Sequence, residues 1–290
     1  MRKLFVCIAL GLTTLTGNAA SPLWMRDVQI SPDGTEIAFC YKGDIYKVSA
    51  GGGTAIQLTT QPSYECTPIW SPDSKQIAFA SDRNGNFDIF VMPATGGTAQ
   101  RLTTHSSSEL PSAFTPDGKY ILFSASIQDP SQSALFPTTA MTELYKVPVN
   151  GGRTEQVLGT PAEAVCYAPS GEFFLYQDRK GFEDEWRKHH TSSITRDIWL
   201  YDTKTGKHTN LTNHAGEDRN PVLSPDGKSV YLLSERKGSF NVYSFPLDNA
   251  QDLKAVTSFK THPVRFLSMS HGGTLCYAYD GEIYTQKDNA

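Results

Sequence analysis

The sequence predicts an all-β fold, a six-bladed β-propeller of four-stranded blades whose last blade lacks its outer strand. A Ser-Pro-Asp-Gly-type turn recurs six times, beginning at Ser31, Ser71, Thr115, Ala168, Ser224 and Ser270. The spacings are 40, 44, 53, 56 and 46 residues, the period of a propeller blade. Each turn is flanked by short β-branched and aromatic runs bounded by Gly, Pro, Asn or Asp, which read as strands between tight turns. Beyond the first twenty residues no helical periodicity competes with this reading.

Blade two is the cleanest copy. Its inner strand ends in Pro68-Ile69-Trp70, and the turn Ser71-Pro72-Asp73-Ser74 leads into the second strand, Ile77-Ala78-Phe79-Ala80. The turn Asp82–Asn86 precedes the third strand, Ile89-Phe90-Val91, and Gly96-Gly97 precedes the outer strand, Arg101-Leu102-Thr103. The third strand recurs at Ile45-Tyr46, Leu144-Tyr145, Ile198-Trp199, Val242-Tyr243 and Ile283-Tyr284. The outer strand recurs at Leu58-Thr59, Val157-Leu158, Leu211-Thr212 and Val256-Thr257. The blades are expected at 23–60, 61–104, 105–159, 160–213, 214–258 and 259–290, the last incomplete. An unpaired outer edge exposes backbone donors and acceptors. The expectation is therefore that a longer polypeptide continues past Ala290, or that another segment completes the last blade.

Residues 1–20 read as a signal peptide, with Arg2-Lys3 as a basic start, a short apolar run over Leu4–Leu15, and a small-x-small site at Gly17-Asn18-Ala19. That run is too short to span a bilayer, so the expectation is export to a periplasm without a membrane span. The net charge of −4 becomes −6 when Arg2 and Lys3 leave, and no Lys/Arg cluster interrupts it, which argues against nucleic acid as a partner. Of the five cysteines, Cys40, Cys66, Cys166 and Cys276 survive processing. All four fall on strands at irregular spacing, which favours reduced, buried thiols over disulfides or a metal site.

Asp82-x-Asn84-x-Asn86-x-Asp88 resembles a calcium loop, but Phe87 and Pro93 replace the Gly and Glu that loop needs, so it reads as a hairpin turn. No metal or other cofactor is expected. Two insertions stand out between second and third strands. Leu175 and Ile198 lie 23 residues apart and Phe123 and Leu144 lie 21 apart, where Phe79 and Ile89 lie 10 apart. The blade-three insertion runs through Gln128–Met141, and the blade-four insertion carries Asp184, Arg187, His189, His190 and Ser192. Adjacent histidines on an extended segment point to opposite sides, and no Gly-x-Ser-x-Gly elbow surrounds Ser192. The segment reads as a structural or docking loop rather than a metal or catalytic site, with Arg187, His189 and His190 as binding candidates. Both loops rise from one face, and long loops on a rigid scaffold are where binding resides.

At the start of the inner strands, Glu65, Glu109 and Asp218 recur, and one position later come Arg26, Arg219 and Arg265, with Glu163 among them. Inner strands line a propeller's axis, so these side chains form a candidate mixed ring that reads peptide termini or side chains. The plainer reading is loop charge or interblade salt bridges.

The Ser-Pro-Asp-Gly turns, the Ile-Ala-Phe and Ile-Tyr strands, the Gly-Gly turns and the Leu-Thr endings resemble the propeller repeats of TolB and tricorn-type peptidases. Arg187-Lys188-His189-His190-Thr191-Ser192-Ser193-Ile194-Thr195-Arg196-Asp197-Ile198-Trp199 is similar to a segment in the first, six-bladed propeller of exported tricorn-like serine peptidases. That resemblance implies a second propeller, a PDZ-like module and a Ser/His catalytic region downstream, and no catalytic residue in this chain. It implies a non-catalytic propeller that binds or gates peptides and unfolded segments. Its partners would be those peptides, the C-terminal domains of its own polypeptide and possible further copies of itself. The rival reading is a stand-alone TolB-like envelope scaffold, although TolB proteins carry an α/β domain ahead of the propeller. Prolyl-oligopeptidase relatives would require an α/β-hydrolase domain. A small propeller lyase or glycosidase would require a channel cluster of carboxylates with His or Tyr, which the sequence does not display.

Overall fold

The computed structural model describes residues 24–127, 141–182, 184, 186–190 and 192–287. The leader and all but the last residue of the Gln128–Met141 insertion lie outside the described residues. Within them, 23 strands form six antiparallel sheets, five of four strands and one of three, each with its strands in chain order. The sheets cover 26–57, 65–101, 109–158, 163–210, 218–255 and 265–287. The architecture is the six-bladed propeller read from the sequence, its last blade three-stranded.

The core lies between the blades. Six apolar clusters each join one blade to the next, as when Ile69, Ile89 and Val91 of blade two pack with Phe114, Ile121 and Phe123 of blade three. The ring closes the same way. Val28, Ile30, Ile37 and Phe39 of blade one pack with Cys276 and Ala278 of blade six. The Ile30 amide donates to Ser268 Oγ at 3.1 Å, and the His271 amide donates to the Pro32 carbonyl at 2.7 Å. Closure therefore rests on the same apolar burial that joins every other pair of blades.

Each repeated residue type has a local task. In the turns, the hydroxyls of Ser31, Ser71, Thr115 and Ser224 donate to Asp33, Asp73, Asp117 and Asp226 at 2.6–2.7 Å. The same hydroxyls accept the amide five residues on, locking the corner before the second strand. In four blades the threonine of the Leu-Thr or Val-Thr ending accepts an amide at the start of the third strand. Thr59, Thr103, Thr212 and Thr257 take those of Ile45, Ile89, Ile198 and Val242, all at 2.9 Å. The aromatic of the Ile-Tyr pair stacks across the sheet, as Phe39 on Tyr46, Phe79 on Phe90 and Phe123 on Tyr145, with centroids 5.8–5.9 Å apart. In blade five Leu232 stands opposite Tyr243 instead.

The four described cysteines are free thiols. Burial pushes the Cys166 thiol up to about 11 and those of Cys66 and Cys276 up to about 12, so none is a ready thiolate. The acidic loop in blade two acts as a turn. Asp82 Oδ1 accepts the Tyr64 amide at 2.7 Å, and Asn86 donates to the carbonyls of Phe87, His105 and Ser107.

Candidate functional site

The inner strands set the geometry of the channel. In five blades the inner strand slips by one residue against its neighbour, between Arg26/Gln29, Cys66/Ile69, Glu163/Cys166, Arg219/Val222 and Arg265/Ser268. A bulge of this kind turns one side chain out of the sheet's alternation. At each slip sits a non-glycine residue at positive φ: Asp27 at 50°, Thr67 at 50°, Ala164 at 48°, Asn220 at 51° and Phe266 at 58°. Blade three slips at the same place, between Pro111 and Ala113, but there the proline ring forbids positive φ. Each left-handed residue costs on the order of 1–2 kcal/mol. Neighbouring blades hold three of these backbone segments in place: Asp27 Oδ2 accepts the Thr67 amide at 3.1 Å, Ser112 Oγ the Val165 amide at 2.7 Å, and Gln177 Oε1 the Asn220 amide at 2.9 Å.

Asp27, Thr67, Pro111, Ala164, Asn220 and Phe266 all line one cavity of about 600 Å³ enclosed by the six inner strands. Ser106, Ser107, Ser108, Ser112, Ser124 and Ser126 supply much of the remaining wall, with the Glu163–Arg179 ion pair at 2.9 Å. The volume falls within the range of ligand cavities, about 300–1,000 Å³. Short hydroxyls supply donors and acceptors without filling the space, a lining suited to the backbone of an extended chain.

The blade-four insertion crosses the mouth. Arg187 is buried and pairs with Glu217 and Glu235 of blade five, and it also donates to the His190 carbonyl at 3.2 Å. Burial works against its charge, but the hydrogen bonds and fields of Glu235 and Glu217 outweigh it and raise its pKa. Arg196 reaches Glu217 Oε1 at 2.8 Å and Glu163 Oε2 at 3.7 Å. Arg219 lies 3.8 Å from Glu217, and its guanidinium sits 4.0 Å from the Phe240 ring centroid, with that of Arg187 at 5.1 Å. Three guanidiniums and three carboxylates thus pin the insertion to the rim.

So fixed, Trp186 projects over the junction of blades six and one. Its ring lies 4.5 Å from the Arg26 guanidinium, 5.1 Å from that of Arg265 and 6.0 Å from the Phe266 ring. Arg265 Nη2 donates to the carbonyls of Trp186 and Arg187 at 3.0 and 3.2 Å. Trp24, Arg26, Trp186, Lys188, His262 and Arg265 line a groove of about 470 Å³ beside them. His262 Nε2 is 3.1 Å from Asp280. The mouth is basic and aromatic, chemistry suited to carboxylates and to stacking on planar groups.

The residues singled out by sequence separate into two groups. Arg26 and Arg265 meet at Trp186, and Glu163 lines the cavity with Arg179. Glu65, Glu109, Asp218 and Arg219 are buried. Glu65 pairs with Arg83 at 2.8 Å and Asp218 with Arg236 at 2.6 Å. Arg187 anchors the insertion from within, while His189 and His190 are exposed. Ser192 Oγ accepts the Ile194 amide at 2.9 Å, and Asp184 accepts the Trp186 amide at 2.8 Å, both turn-forming contacts. Sequence reasoning missed Trp186, Lys188, Phe266 and the positive-φ ring. The ring's residue types are too varied to signal one another, but Trp186 stood out as an aromatic in a polar insertion. Among the described residues, no three His, Cys, Asp or Glu side chains gather as a metal group.

The comparisons with known proteins agree with this geometry. The fold superposes on the crystal structure of the tricorn protease with a TM-score of 0.76, at 21% identity over 92% of this chain and 25% of that one. It superposes on TolB from Acinetobacter baumannii with a TM-score of 0.66, at 20% identity over 90% of this chain and 60% of that one. At these identities the likeness is one of fold. The uncharacterized protein Atu1656 of Agrobacterium fabrum is 31% identical over 146 residues, 49% of this chain and 44% of that protein. The uncharacterized peptidase YuxL of Bacillus subtilis is 32% identical over 72 residues, 25% of this chain and 10% of that protein. The chain spans less than half the length of these curated relatives. Residues 22–290 match the tricorn protease N-terminal beta propeller domain, and the chain belongs to that family.

Proposed function

We propose that this propeller is the non-catalytic, peptide-admitting part of an exported serine peptidase. Extended segments pass the basic, aromatic mouth and lie in the hydroxyl-lined channel, while the chemistry belongs to regions beyond this chain. The observation that carries the reading is the fixed placement of Trp186 between Arg26 and Arg265 above a channel of about 600 Å³. A narrow channel rejects folded proteins, and a rim of guanidiniums holds carboxylates through charge-assisted hydrogen bonds.

The test is fluorescence anisotropy of labelled, unstructured peptides on the purified protein. Binding is expected, and Arg265→Ala is expected to weaken it about tenfold, the loss of one charge-assisted contact. No binding, or binding indifferent to both Arg26→Ala and Arg265→Ala, overturns the reading. A stable complex with a peptidoglycan-associated lipoprotein would instead support the TolB-like scaffold. Export is checked by sequencing the N-terminus of the envelope-fraction product, expected near residue 21.

A further inference from the structure

The propeller's own repetition exposes a second site. In blade two, Glu65 stands opposite Ser81, and two residues further on Arg83 supplies the guanidinium, 2.8 Å from the carboxylate. In blade five, Asp218 stands opposite Ser234, and Arg236 pairs with it at 2.6 Å. In both blades the serine hydroxyl accepts the arginine Nε, at 2.9 and 2.8 Å, completing a buried acid–serine–arginine unit. Blade three keeps the acid and lacks the rest. Glu109 stands opposite Ala125, and the position two residues on is Ile127.

Glu109 is 1% exposed, and its Oε2 has no hydrogen-bond partner among the described residues, while Thr103 hydrogen-bonds the carboxyl. Beside it lies a second buried carboxyl, Asp88, which Arg101 meets at 2.8 Å. Arg101 pairs with Asp88 and acts on Glu109 only as a nearby charge. A cavity of about 480 Å³ adjoins them, lined by Thr103, His105, Glu109, Ile127 and Tyr145 among others. His105 Nδ1 accepts the Ser107 amide at 3.0 Å, so the Nδ1 lone pair is occupied. A buried carboxylate left without a partner is costly, and the sibling blades show which group offsets that cost.

We propose that Glu109, with Asp88 behind it, receives the guanidinium or ammonium of an Arg or Lys side chain from another polypeptide segment, in the cleft between blades two and three. The incoming cation occupies the role that Arg83 and Arg236 play within their own blades. A guanidinium fits best, because its planar fork bridges two carboxyl oxygens. The site is distinct from the channel mouth, and its test does not depend on the peptide-gating reading.

The titration has a defined sign. Burial, chiefly, and the neighbouring Asp88 charge push the Glu109 carboxyl up to about 7, against the pull of Thr103 and Arg101. A cation binds the ionised form, so affinity rises as pH climbs through that value.

The experiment is a carbon-detected NMR titration of the Glu109 carboxyl in the full chain, with acetyl-arginine amide as the probe and acetyl-citrulline amide as its neutral counterpart. Acetyl-arginine amide is expected to lower the apparent pKa of Glu109 by about one unit, with about tenfold tighter binding at pH 8 than at pH 6. Citrulline amide is expected to do neither, and Glu109→Gln to abolish binding. Ile127→Arg rebuilds the sibling arrangement and is expected to lower the Glu109 pKa without any ligand and to block the probe. A Glu109 that titrates identically with and without millimolar arginine amide overturns the proposal, as does equal binding of arginine and citrulline amides.

Discussion

The blade wall and the blade-four insertion are built from opposite materials. In the wall, short apolar strands bury Phe79, Phe123 and Phe174 completely between neighbouring sheets, each burial contributing about 1.5–3 kcal/mol. At the insertion, Arg187 and Arg196 are buried in ion pairs with Glu217 and Glu235 of blade five. Desolvation of such a cluster nearly cancels its Coulomb attraction, so it adds little net stability while fixing one geometry. The difference separates two jobs. Repetition with apolar burial makes a rigid ring, and a non-repeated ionic clamp positions Trp186 over its opening.

Breaking the clamp is expected to have the largest effect. Arg187→Ala leaves the buried Glu235 without its guanidinium and Glu217 with Arg196 and Arg219, and chemical denaturation should show a loss of about 3–5 kcal/mol. Adding Glu235→Gln should restore part of it, since Glu217 keeps Arg196 at 2.8 Å and Glu235 is the carboxylate left without its guanidinium. A loss below about 1 kcal/mol would mean that the insertion is not coupled to the wall.

On the wall side, Phe79→Ala removes a fully buried ring that stacks on Phe90, and is expected to cost a similar or somewhat smaller amount, about 3–4 kcal/mol. Its signature differs. Hydrogen exchange of the 186–196 amides should rise with Arg187→Ala and stay unchanged, at equal residual stability, with Phe79→Ala. Thr103→Val deprives the Ile89 amide of its 2.9 Å acceptor without changing the volume, and about 1–3 kcal/mol should be lost.

The smallest expected effect is a pH dependence. The turn hydroxyls and following amides hold the Asp33, Asp73, Asp117 and Asp226 carboxyls below the usual carboxylate range. Their contribution is present above the ordinary value and is lost as pH falls through the lower folded-state values. Melting temperature should therefore decline on acidification below about pH 4. Replacing the four aspartates by asparagine should flatten that decline. Glu109 acts in the opposite direction. With its folded pKa raised to about 7, it lowers stability as pH rises from about 4.5 to 7, and Glu109→Gln should remove that slope.

Much of the ring was legible because its signals are local and repeated. Ser71 and Asp73 make their bonds within five residues, Thr103 answers Ile89 across 14, and the same pattern returns in other blades. The mouth was legible only in part. Arg26 and Arg265 share a register with Arg219, yet two of them meet Trp186 and the third is buried on Phe240. Register places a residue at the start of an inner strand, but the neighbouring insertion decides whether it faces solvent, a ring or a carboxylate. The partners of Arg187 lie 30 and 48 residues downstream, at positions with no motif of their own.

By itself, then, the sequence determined the number of blades, the strand order within each and the residues that lock four of the six turns, because hydrogen bonding and apolar alternation over a few residues are enough to specify them. The tertiary structure alone decided which acids are buried, that Glu109 lacks the arginine of its siblings, and that Trp186 stands over the channel. Those outcomes depend on charges from different blades meeting out of water, where the energy of each is set by its neighbours in space.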